Sequence, residues 1–164
     1  MASWTQSITA IGTLNGSWSS QPDFPMKLKN DELANRINFL KAQLDELLAS
    51  PPIPFDSQCW AAFPVAPGIY RIFDPDDSAA TIRAGRSKAK GGLRQRLYQN
   101  HLMGKQKGNL CSQLVRDRVC DDFAAAKKHI RSKLVAQVLV VEDDRDRAWL
   151  EHFMLAVLRP RYSD

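Results

Sequence analysis

Residues 67–101, PGIYRIFDPDDSAATIRAGRSKAKGGLRQRLYQNH, decide how the rest of the chain is read. Two short apolar runs, Gly68–Phe73 and Ala80–Gly85, flank Asp74-Pro75-Asp76-Asp77-Ser78, a cluster of turn formers, and this pattern predicts a β-hairpin. Beyond the second run the chain turns basic. Arg83, Arg86, Lys88, Lys90, Arg94, Arg96, Lys105 and Lys107 follow one another with no Asp or Glu between Ser78 and Arg116. Cations at this density repel one another unless a polyanion lies against them, so the window predicts a nucleic-acid surface. Gly91-Gly92 then opens a helical pattern with Leu93 and Leu97 on one side. A helix starting there is expected to point unpaired N–H groups at the same anion.

Outward from this stretch, the 164 residues suit one core with an extension. The net charge is +5, with 23 basic and 18 acidic residues, and the acids gather in 31–46, 74–77 and 142–151, leaving the middle far more basic than the average. Cys59, Cys111 and Cys120 show no CxxC spacing, so neither a zinc cage nor a disulfide framework is indicated, and reduced thiols fit best. No apolar run approaches the ~20 residues of a membrane span, and no signal sequence is visible. The expectation is a soluble, cytoplasmic protein with no membrane contact.

The remaining elements follow from periodicity. Asn15-Gly16 is compatible with a small hairpin between Ser7–Leu14 and Ser17–Ser20. Asn30 caps a helix over 30–49 whose Leu33, Ile37, Leu40, Leu44 and Leu47 form one apolar stripe, ended by Ser50-Pro51-Pro52. That stripe either packs on its own domain or supplies a homodimer contact. The prolines between 51 and 67 mark a boundary between an N-terminal extension, residues 1–60, and a main domain, residues 61–164. Helices are expected over 109–120 and from Asp121 or Asp122 to Ser132. Lys133–Glu142 reads as a central strand, and Asp143 or Asp144 caps a final helix ended at Arg159-Pro160.

Four blocks in this order resemble the GIY-YIG nuclease family across residues 63–162. They are Gly68-Ile69-Tyr70; Arg83-Ala84-Gly85 followed by Arg86-Ser87; Leu93-Arg94-Gln95-Arg96-Leu97; and Leu150-Glu151 with Pro160, Arg161 and Tyr162 beyond. The resemblance implies an α/β (α+β) fold, a small three-stranded antiparallel sheet flanked by helices. It implies a DNA endonuclease in which Tyr70 orients or deprotonates the attacking water, Arg96 contacts the scissile phosphate, and Glu151 is the protein carboxylate on one divalent cation, Mg²⁺ or Mn²⁺. A tyrosine acts as a base at neutral pH only where neighbouring cations favour its phenolate, which gives Arg86 and Arg96 a second task. The expected DNA contacts are Arg83, Lys88, Lys90, Arg94, Lys105 and Lys107.

Two departures from the family pattern bear on activity. Arg83 stands where the family has a tyrosine, and is expected to substitute for it by reaching the phosphate. Four residues after Arg96, where relatives often have His or Tyr, this chain has Asn100, and His101 lies about 100° further round an α-helix. His101 is therefore a candidate catalytic residue or an ordinary helix-end histidine. The alternative to an active nuclease is a nucleic-acid-binding module of the same fold with impaired chemistry.

Overall fold

The computed structural model describes residues 30–88 and 90–163. The expected N-terminal hairpin at 7–20 lies outside the described residues. In chain order the elements are α1 (Asn30–Ala49), β1 (Ile53–Pro54), α2 (Cys59–Ala62), β2 (Gly68–Phe73), β3 (Arg83–Arg86), α3 (Gly92–Arg94) running straight into a π-helical segment (Gln95–Leu102), α4 (Leu110–Arg116), α5 (Phe123–Lys133), β4 (Val135–Val140) and α6 (Asp144–Leu158). The fold is mixed α+β. No helix among the described residues is long and apolar enough to cross a membrane.

The hairpin forms where the turn chemistry places it. Asp74 accepts from the backbone N–H of Asp76 through its side chain and from that of Asp77 through its carbonyl, and β2 then pairs antiparallel with β3, Tyr70 opposite Gly85. The second strand starts at Arg83 rather than Ala80. The preceding backbone is claimed from the other side, because Thr81 and Ile82 accept hydrogen bonds from Arg161 and Tyr162 near the chain's end.

Instead of three strands the antiparallel sheet has, among the described residues, four, in the order β1-β4-β2-β3. The added strand is two residues long and ends in Pro54, which suits an edge, where a proline's missing donor faces no partner. Its presence also removes the expected boundary between 51 and 67. Ile53 and Pro54 pair with β4, and Phe55, Cys59 and Phe63 share a core with Tyr70 and Ile72, so the chain on both sides of the prolines builds one sheet.

Alternation along β2 sends its side chains to two covered faces. Tyr70 and Ile72 meet Leu93, Leu97, Leu102, Leu110 and Ile130 from the α2–α5 side, whereas Ile69 and Ala84 meet Leu44 and Leu47 of α1 and Leu150 and Met154 of α6. Helices on both faces explain why every residue of β2 is buried. The α1 stripe is used only in part. Leu44 and Leu47 are buried on its own domain, while Leu33 and Ile37 remain half exposed. Each fully buried leucine is worth roughly 1.5–3 kcal/mol, so the second half of α1 is well anchored and the first half projects.

Gly91 and Gly92 are both left-handed, with φ of 81° and 56°. A Cβ on Gly92 would lie 1.6 Å from the Val65 carbonyl oxygen, so only glycine lets the helix start so close to the chain entering β2. The same closeness corrects an expectation. The first N–H groups of this helix do not face an anion: Leu93 and Arg94 donate to the carbonyls of Ala66 and Pro64 at 3.0 and 2.8 Å.

Candidate active site

The basic window and the middle of α6 border a cleft of about 630 Å³, lined by Arg86, Lys88, Lys90, Arg96, Lys107 and Glu151 among others. Arg96 and Glu151 are 55 residues apart in sequence (151 − 96) and come from opposite faces of the sheet. They meet because the cleft opens where β3 ends and the Gly-Gly corner begins.

On one side of the cleft lies a buried polar triangle. Arg96 Nε donates to Tyr70 Oη at 3.3 Å, and His101 Nε2 lies 2.7 Å from the same oxygen. Tyr70 and His101 are both wholly buried. Arg96 lines the cleft, so it stands between the phenol and solvent. Its Nη1 donates at 2.6 Å to Gln106 Oε1, which also accepts from Asn100 at 2.7 Å. Tyr70 is therefore one residue removed from the cleft in which it was expected to act.

The π-helical segment answers the question left by Asn100. Met103 N–H bonds to the Tyr98 carbonyl, five residues back, and the widened turn puts the residue at i+5 where an α-helix would put i+4. His101 is thereby aligned with Arg96 beneath the helix, and Asn100 turns instead to Gln106. Its imidazole is held well below the ordinary value of 6.5, first by burial and then by the charges of Arg83 and Arg96.

Across the cleft, Glu151 is nearly buried and both of its oxygens engage Arg86. Oε1 accepts the Arg86 backbone N–H at 3.0 Å, and Oε2 accepts Arg86 Nε at 2.9 Å. Arg86 has a second acidic neighbour, since its Nη1 is 3.9 Å from the exposed carboxylate of Asp144. α6 brings both acids to Arg86, starting from Asp143, whose side chain caps the helix by accepting from the N–H groups of Arg145 and Asp146.

No family model, curated protein or solved structure matches this chain. The site's chemistry therefore rests on its own geometry. Among the described residues there is no group of three or more His, Cys, Asp or Glu side chains able to cage a metal. A hard cation such as Mg²⁺ needs no such cage, because it commonly takes one or two carboxylates and completes its shell with water and substrate phosphates. Glu151, an oxygen donor bordering an open cationic cleft, fits that pattern.

Two of the residues expected on DNA are used elsewhere. Arg83 is 1% exposed, and its Nη1 donates to the Gly108 carbonyl and to Gln113 Oε1, so it does not reach a phosphate in the cleft. It lies on the sheet face that carries Tyr70, opposite Ile72, where a burying layer of helices leaves a long side chain no route to solvent. Arg94 donates to the carbonyls of Phe63 and Ala61 and lies over the Trp60 ring, tying down the end of α2. Lys88, Lys90 and Lys107 do line the cleft, and Lys105 is exposed on the adjoining loop. Gln106 and Gln113 escaped the sequence reading, for isolated glutamines carry no periodic or motif signal, and Asp144 announces itself only as a candidate helix cap and not as a partner of Arg86.

Proposed function

We propose that this chain is an endonuclease that hydrolyses DNA phosphodiester bonds with the help of one divalent cation. The observation that carries this reading is the shared cleft, in which Arg96, bonded to the Tyr70 phenol, and Glu151, bonded to Arg86, stand among lysines. The four-block resemblance to GIY-YIG nucleases supports the same roles. Glu151 would hold Mg²⁺ or Mn²⁺, which when bound supplies charge stabilisation at the reacting phosphate.

The protein's own part begins with the phosphate. A phosphate oxygen entering the cleft is a stronger acceptor for Arg96 than the neutral Gln106 amide, since charge-assisted hydrogen bonds are about twice as strong as neutral ones. Drawing Arg96 outward uncovers Tyr70, which orients the attacking water. The water oxygen forms the new bond to phosphorus and gives its proton to solvent on the cleft side, the bond to the leaving oxygen breaks in line, and solvent protonates that oxygen. Arg96 and Arg86 balance the charge that develops on the way. Lys88, Lys90 and Lys107 bind neighbouring phosphates without regard to sequence.

One observation favours a second reading, a DNA-binding module without chemistry: the phenol is fully covered. Incubation of the purified protein with supercoiled plasmid, with and without Mn²⁺, separates the two. The nuclease reading expects metal-dependent conversion to nicked circles bearing defined ends. Salt-dependent binding with no nicking at any metal concentration would leave only the binding module.

A further inference from the structure

The His101 ring is specified at both nitrogens. Nδ1 lies 3.3 Å from the backbone nitrogen of Leu110, and a backbone N–H can only donate, so Nδ1 must carry a lone pair. The one proton of the neutral ring is then on Nε2, and the 2.7 Å contact to Tyr70 runs from Nε2–H to the phenol oxygen. Arg96 Nε–H donates to that oxygen too. Tyr70 Oη therefore accepts two hydrogen bonds, and its own proton is left to point in a third direction.

The surroundings keep the ring in this form. Among the described residues, four titratable or charged groups meet it: Tyr70 from β2, Arg83 from β3, Arg96 from its own helix, and Cys111 from α4, whose thiol bonds to the His101 carbonyl. Burial pushes the Cys111 thiol up to about 11, so it stays neutral. Both charges acting on the ring are guanidinium, and one of them, Arg83, is buried with it. Adding a proton to His101 would put a third positive charge in the same interior and break the bond from Leu110.

We propose that His101 is a positioning residue, a permanent Nε2–H donor that holds the Tyr70 oxygen, and not a base that receives the Tyr70 proton. The inward path for a proton is closed. Whatever proton Tyr70 gives up or takes leaves or arrives on the cleft side, and Arg83, standing where the family resemblance calls for a tyrosine, serves the site by keeping its neighbour uncharged.

This inference deepens the nuclease reading but is tested without DNA. In protein labelled with ¹⁵N at its three histidines, long-range ¹H–¹⁵N spectra report tautomer and protonation, and loss of one pattern in His101→Gln assigns it. The expected result is one ring with its proton on Nε2, unchanged from about pH 5.5 to 8. A His101 ring that carries its proton on Nδ1, or that titrates in that interval, would overturn the proposal. A second arm uses nicking activity. Glutamine can donate a hydrogen bond but cannot act as a base, so His101→Gln should keep activity within about tenfold with an unshifted pH profile, while His101→Leu, which donates nothing, should lose roughly a hundredfold or more. If Gln is as damaging as Leu, His101 takes a proton. Should the wild-type protein prove unable to nick DNA, the nuclease reading fails while the spectra still decide the role of the ring.

Discussion

The two sides of the cleft hold their charges in opposite ways. At the Tyr70 side, burial fixes two rings and a donor from the Leu110 backbone, and only Arg96, held by Gln106, faces the cleft. At the Glu151 side, Arg86 is about one-third exposed and has a choice of two carboxylates, Glu151 at 2.9 Å and Asp144 at 3.9 Å. Hydrogen bonds in a dry interior are strong and costly to leave unmade, whereas an ion pair near solvent is cheap to exchange. The Tyr70–His101 pair on the first side is built to hold one geometry. The second is built to trade partners, as the cation proposed at Glu151 would require.

This contrast can be broken at either side. The largest effect is expected from Glu151→Gln, which keeps an acceptor for the Arg86 N–H but removes the charge. Metal-dependent nicking should fall roughly a thousandfold or more while DNA affinity in a gel-shift titration is retained. A variant that still cuts would remove Glu151 from the chemistry. Tyr70→Phe should cost about a hundredfold in nicking, and it should also lower unfolding free energy by about 1–3 kcal/mol in urea melts, because it strands the buried His101 donor and takes a partner from Arg96. Unchanged stability would mean that those donors relax to other partners, and the Tyr70 side would not be rigid.

Arg86→Gln probes the exchangeable side. With its competitor gone, Glu151 should bind Mn²⁺ about tenfold more tightly in an electron-paramagnetic-resonance titration without DNA, even as nicking falls. Weaker Mn²⁺ binding would show that Arg86 organises the carboxylate and does not compete for it.

The smallest effect concerns pH. The folded chain keeps His101 neutral, whereas the unfolded chain protonates it below about 6.5, so the unfolded state binds more protons there and stability falls as pH falls. The slope is up to about 1.4 kcal/mol per pH unit between 6.5 and the lowered folded value, and full stability is present above 6.5. Urea melts of wild type and His101→Gln at pH 5.5 and 7.5 should differ in this slope. Parallel behaviour would mean that the ring charges in the folded state.

Much of the architecture was legible because it depends on local chemistry. The α1 stripe, the Asp-rich turn, the Asn109 and Asp122 caps that accept from Ser112 and Ala125, and the β-branched run of β4 each announce themselves over a few residues. The misses required the third dimension. A π-turn has no signature of its own, so the alignment of His101 with Arg96 was invisible until the backbone bond from Met103 to Tyr98 was seen. Arg83 reads as one more surface cation, and only the register of β3 against β2 turns it inward. Likewise, Ile53-Pro54 becomes a strand only because the edge of β4 needs a partner. In the candidate site, the sequence pattern named Arg86, Arg96 and Glu151, which do line one cleft. It gave no hint of the Gln106 latch, which keeps Arg96 over the phenol.

The hydrogen bonds from Arg161 and Tyr162 to Thr81 and Ile82 have a practical side. They lash the far end of the chain beside Arg83, through a parallel bridge to Tyr162, and Ser163 lies on the rim of the cleft. Anything joined beyond Ser163, a purification handle included, would emerge at the rim of the cationic cleft, where it would obstruct the DNA that the proposed function places there. Fusions and fluorescent labels for assays on this protein therefore belong ahead of α1, whose exposed first turns lie on the helix layer across the sheet from Tyr70.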